Sequence, residues 1–359
     1  MYSDSDLESA VASGALSPDA ASALRNYVAG RTGGAHADEE HFRLITGFND
    51  IFVAIAAAIL LFAVGWIGNA FGPHVDGDGP TPFAGVLVAA TAWGLAEFFT
   101  RKRRMALPSI LLLLAFTGGV LLTAFVTIVL AVGEPNFENN DQAIALLAAG
   151  SAAVAAGATW LHWRRFRVPI TVAVAALAVV GVAMALIASA VGSGPQLQDA
   201  LLASALLLGI GVFLFAMWWD SSDRARETRR SDVAFWLHLL SAPLIVHPIF
   251  SLLGLTDGDA TIGEALVVLG VYVLLGLTAL AIDRRALLVS ALAYVLFALI
   301  SLFREFGAVE LNIALAAFVI GSGLLLLSAF WHGVRRSIVR PLPAGLQARL
   351  PVTERVAAA

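Results

Sequence analysis

Two histidines and two prolines share one apolar stretch, DVAFWLHLLSAPLIVHPIFSLLG at 232–254. Histidine is the side chain whose ordinary titration lies nearest neutral pH, so His238 and His247 could take up a proton or meet a polar ligand. A charged side chain at the centre of a membrane span costs about 2.5–3.5 kcal/mol on insertion scales, so groups of this kind are rare there. Pro243 and Pro248 bring no N–H, and each leaves the carbonyl four residues back (Leu239, Leu244) without its helical donor. Inside hydrocarbon each freed carbonyl needs a partner within the protein. These four residues are the first candidates for a binding or gating element. In a purely structural role each histidine would bond a neighbouring helix or a freed carbonyl. Nine residues on a straight helix set the histidines roughly 180° apart, which argues against one shared two-histidine metal site.

Three other places carry reactive types. Glu97 precedes Arg101 by one helical turn, which suits an ion pair or a proton-carrying carboxylate. Arg304, Glu305, Glu310 and Asn312 cluster between two apolar runs; a pair of Arg304 with Glu310 or Glu264 competes with a receptor for an anionic group. Asn49 and Asp50 open an apolar run, where an acid stabilises a helix N-terminus. His36, Glu40 and His41 lie in GRTGGAHADEEH, read as a solvated linker and not as a metal site. In WLHWRR (160–165) and FWHGVRR (330–336), His162 and His332 read as interfacial anchors beside tryptophan. No phosphate-binding glycine loop, HExxH or GxSxG occurs, and with no cysteine there is no thiolate chemistry. No cofactor, catalytic residue or metal is expected.

The elements that must hold these residues follow from composition. Of 359 residues, 59% are hydrophobic and 13% charged, a balance that a water-soluble core cannot absorb. Ten apolar runs reach the ~20 residues a bilayer requires. They fall at about 47–71, 82–100, 106–132, 142–163, 168–191, 199–219, 232–254, 262–282, 286–303 and 310–332. The expected fold is all-α: a polytopic membrane bundle of about ten helices at 46–333, a helical hairpin and linker at 1–45, and a tail at 334–359.

Orientation follows from charge. Basic residues come after every even run: 101–104, then Arg164, Arg165 and Arg167, then Arg224, Arg226, Arg229 and Arg230, then Arg284 and Arg285, then Arg335 and Arg336. With both termini in the cytoplasm of a bacterial inner membrane, 21 of the 22 Lys and Arg residues lie inside, and only Arg304 lies outside. The outer loops are acidic. Basic clusters beside a membrane point to acidic lipid headgroups as partners, not to nucleic acid. Small residues in AAGSAAVAAGA (148–158), and at Ala178, Gly181, Ala185 and Ala188, predict close helix packing.

In the first 45 residues, Ser5 with Glu8 reads as a capping box, Gly14 as a stop, and Ser17-Pro18-Asp19 as a second helix start. Leu24, Tyr27 and Val28 supply an apolar stripe, and Gly30 an end. This LESAVASGALSPDAASALRNYV hairpin, followed by many spans, resembles the DUF2157 family of multi-pass bacterial membrane proteins. The resemblance implies a membrane protein of this layout; it implies no activity and no functional residue. Three functions fit. A carrier of a small solute or ion predicts a water-accessible cavity at His238 or His247. A non-catalytic sensor or scaffold predicts a protein partner on residues 1–45. A membrane-embedded enzyme predicts a cleft holding His238 with a carboxylate.

Overall fold

The computed structural model describes residues 4–31, 48–224, 226, 228–253, 262–306 and 311–352. They are all-helical and fall into two compact units, one holding the first two helices and the other holding the rest.

The first unit is the hairpin of α1 (Asp4–Ala12) and α2 (Pro18–Arg31). Gly14 turns the chain at φ +76, the left-handed region that glycine occupies without a Cβ clash. Ser17 Oγ accepts the Ala20 N–H at 3.2 Å, so this serine is the N-cap with proline directly after it. Leu7 and Ala21 are buried. The helix passes Gly30 and ends at Arg31. The side chains of Ser5, Glu8, Tyr27 and Val28, and the linker residues His36, Glu40 and His41, lie outside the described residues.

Among the described residues, the second unit holds ten helices long and apolar enough to cross a membrane. They are α3 (Phe48–Asn69), α4 (Pro82–Phe99), α5 (Ala106–Val132), α6 (Asp141–Phe166), α7 (Ile170–Val191), α8 (Gln196–Ser221), α9 (Arg229–Leu252), α10 (Ile262–Ile282), α11 (Ala286–Glu305) and α12 (Asn312–Val339). A short α13 (Ala344–Gln347) follows. The chain is therefore an integral, multi-pass membrane protein, and its many exposed leucines, valines and phenylalanines are the surface expected toward lipid.

Contacts between loops sort the two ends. The Asp76 N–H donates to Glu134 Oε1 at 2.9 Å, which joins the α3–α4 and α5–α6 connections on an acidic face. Glu97 meets Arg165, and Arg226 meets Asp283, on the opposite, basic face. Several helices run past their apolar stretch at this basic end. α12 ends at Val339, seven residues beyond the expected 332, so Arg335 and Arg336 ride on the helix. Hydropathy marks only the residues that prefer lipid, while backbone hydrogen bonding continues into water. Residues 334–352 are accordingly part of the bundle and not a separate tail.

Among the described residues the core comes in three clusters. One lies among α3–α5 (Leu61, Ala92, Leu112), one among α7–α9 (Val180, Val212, Leu237), and one among α9–α12 (Phe250, Val268, Leu287). α9 belongs to two of them and is the most buried span: half of its apolar window is inside, against 39% or less elsewhere. Small residues set the closest crossings. A Cβ on Gly119 would sit 2.7 Å from the Gly85 carbonyl, so α4 and α5 meet backbone to backbone. The small faces of α6 and α7 also meet, with Gly181 beside Ala152.

Candidate functional site

The most concentrated chemistry lies at the basic end of α8–α12. It begins where α8 leaves the apolar zone at Trp218-Trp219-Asp220. In the turn that follows, Asp223 Oδ2 accepts the Thr228 N–H at 2.9 Å and its hydroxyl at 2.7 Å. Thr228 Oγ1 in turn accepts the Arg230 N–H and caps α9. The turn between α10 and α11 is held by Asp283 at φ +57. These two turns bring opposite charges together.

Asp220 is 0% exposed. Arg284 reaches it from the second turn, with Nη2 donating to Oδ1 at 2.7 Å and Nε to Oδ2 at 3.3 Å. The same Nη2 donates to the Ser231 carbonyl at 3.1 Å, and Phe235 lies 5.9 Å below the guanidinium. His238, one to two turns further along α9, places Nε2 3.3 Å from Asp220 Oδ2. That approach misses hydrogen-bonding geometry, and neither ring nitrogen of His238 has a hydrogen-bond partner. Phe213 closes the other side of the ring at 5.2 Å.

A second carboxylate sits beside the first. Arg226 Nη1 donates to Asp283 Oδ2 at 2.8 Å, and its Nη2 donates to the Ile282 and Asp283 carbonyls. Trp331 Nε1 donates to Asp283 Oδ1 at 2.7 Å. Arg335 lies 3.8 Å from the same oxygen and donates to the Pro351 and Val352 carbonyls. Arg224 donates to the carbonyls of Leu350 and Gln347. Residues 347–352 thus strap the network to the bundle. Buried charges persist only where geometry and hydrogen bonds satisfy them, and here each carboxylate has at least one guanidinium or two conventional donors. Among the described residues no group of three His, Cys, Asp or Glu could hold a metal ion.

The residues singled out from sequence are scattered around this network. His238 is in it, 1% exposed. His247 points elsewhere, exposed, with Nδ1 2.6 Å from the Tyr294 hydroxyl. Pro243 and Pro248 lie inside an unbroken α9, the first exposed and the second buried. The Leu244 carbonyl freed by Pro248 faces Gly209, where a Cβ would sit 2.9 Å from that oxygen. Glu97 makes the expected pair with Arg101 at 3.3 Å, but its stronger partner is Arg165, bidentate at 2.6 and 2.8 Å. Asp50 is buried in the first turn of α3. Arg304 is exposed in the last turn of α11, and Asn312 is buried at the start of α12. Glu310, and with it any Arg304–Glu310 pair, lies outside the described residues.

One expected anchor is corrected. His162 is 1% exposed and boxed by Trp93, Phe116 and Phe166, because α6 turns that face toward α4 and α5. Trp331 is buried because its indole N–H serves Asp283, while the neighbouring His332 is exposed. The two look-alike motifs therefore bury opposite members.

Asp220, Asp223, Asp283 and their arginines were not singled out from sequence. A usable signal was present: these are carboxylates among the basic loops, where the charge rule calls only for cations. Glu97, Asp220 and Asp283 each pair with an arginine. No protein-family profile, curated protein or solved structure matches the chain.

Proposed function

We propose that this protein is a non-catalytic membrane sensor or scaffold of the bacterial inner membrane, with both termini cytoplasmic, acting through its N-terminal hairpin. The observation that carries this reading is the division of labour between the units. The hairpin is a compact helical pair of its own, while the buried charges of the bundle are spent on one another and on backbone carbonyls. Charges paired in this way hold helix ends in place and offer little to a passing solute. The loose likeness of residues 7–28 to the DUF2157 hairpin agrees with this layout. Deleting residues 1–31 tests it. The truncated bundle is expected to insert and keep its thermal stability while losing proteins that co-purify with the full chain. Unchanged partners and an unchanged cellular phenotype would end the reading.

A second reading, a carrier for a small solute or ion, draws on the imidazole of His238, 3.3 Å from Asp220 Oδ2 inside the spans, although His238 is 1% exposed and does not border the water-accessible cavity that a carrier predicts. Its test is thermal stability against a panel of ions, sugars and amino acids. A ligand that binds only the folded state stabilises by about 2.7 kcal/mol at a hundredfold excess over its dissociation constant. Loss of such a shift in His238→Ala or His247→Ala would support the carrier; no shift with any compound would remove it.

A further inference from the structure

At the basic ends of α6, α8 and α9 lies a cavity of about 480 Å³, within the ~300–1,000 Å³ typical of small-ligand clefts. Its walls carry three indoles, Trp163, Trp218 and Trp219, and three guanidiniums, Arg167, Arg229 and Arg230. The arginines are exposed and, among the described residues, make no ion pair with a carboxylate. Arg226, Arg284 and Arg335, by contrast, are held by Asp220 and Asp283. The exposed Arg167 guanidinium lies over the Trp163 ring, 5.6 Å from its centroid.

We propose that this groove binds the phosphodiester headgroup of an anionic glycerophospholipid. Three features select a lipid over a soluble anion. Indoles settle at the headgroup level of a bilayer, and the groove is lined by them on the face where the basic loops gather. Basic pockets between membrane helices on that side take acidic headgroups. Beneath the groove, Leu207, Leu214 and Trp218 form one exposed stripe on α8 at helical spacing, a track for an acyl chain. Guanidinium forks match phosphate oxygens two at a time, and the N-terminus of α9 adds its positive end. The site is independent of the function proposed above.

The test uses the full-length protein. Native mass spectrometry counts phospholipid retained from micelles doped with phosphatidylglycerol or phosphatidylcholine, and thermal stability is read in the same mixtures and in inorganic phosphate. Phosphatidylglycerol is expected to be retained and to raise the melting temperature, while phosphatidylcholine is not. Arg229→Gln/Arg230→Gln weakens retention by about tenfold or more, the scale of losing charge-assisted hydrogen bonds. Arg167→Gln, on a different helical element, weakens it too, so a folding failure of the double variant does not decide the matter. Arg340→Gln, exposed on the same face but outside the groove, leaves retention unchanged. Equal retention of the two lipids, equal loss in Arg340→Gln, or full retention in both groove variants would overturn the site. Stabilisation by inorganic phosphate as large as that by phosphatidylglycerol would overturn the lipid assignment.

Discussion

Replacing Arg284 by methionine should be among the most damaging single changes in the bundle. Arg284 is 3% exposed and Asp220 0% exposed, so the substitution strands a carboxylate where no water can replace its partner. Two hydrogen bonds to Asp220 and one to the Ser231 carbonyl disappear together. Removing one member of a buried ion pair costs about 3–5 kcal/mol, because the remaining charge stays desolvated. Asp220→Asn leaves the converse buried cation and should cost about as much. The double variant removes both charges and should recover about 1–3 kcal/mol relative to the sum of the singles. Recovery is incomplete because Ser231 and Phe235 still lose their contact with the guanidinium. Glu97→Gln is the comparison. Its distances to Arg165 are as short, yet both groups are about a third exposed, so water takes over and the loss is far smaller. The assay is reversible unfolding of the full chain by dodecyl sulfate, followed by tryptophan fluorescence and helical dichroism. If Arg284→Met and Glu97→Gln cost the same, or if the two buried variants simply add, burial is not what gives this pair its weight.

Gly209→Val should cost about 1–3 kcal/mol, since its Cβ would meet Leu244 at 2.8 Å, whereas Gly211→Val, with open space around it, should stay within about 0.5 kcal/mol; equal effects would refute the close α8–α9 crossing. Ending the chain after Pro341 removes the carbonyls that serve Arg224 and Arg335, and should cost about 2–4 kcal/mol in the same titration, more than a single charge-assisted hydrogen bond. An unchanged midpoint would mean that residues 342–352 strap nothing. His162→Ala opens a gap among three aromatic rings and should cost about 2–4 kcal/mol, while His332→Ala, on an exposed site, stays within about 0.5 kcal/mol; the reverse order would refute the burial of His162.

The ten spans, their order and the start of α2 at Ser17-Pro18 were legible in the residues, because each depends on neighbours in sequence. A run of apolar side chains prefers lipid wherever the other helices go, and a serine caps the helix that follows it. The Glu97–Arg101 pair was legible for the same reason, as one helical turn joins them. Tertiary structure decided the rest. Arg165 outranks Arg101 only because α6 stands beside α4. Asp220 and Arg284 are 64 residues apart, and nothing in either local sequence tells a paired, buried charge from one that merely marks the basic side of a membrane. His162 and His332 stand in near-identical motifs, yet one is sealed and the other exposed. Hydropathy reports what a residue prefers as solvent, whereas which helix becomes that solvent depends on packing between distant segments.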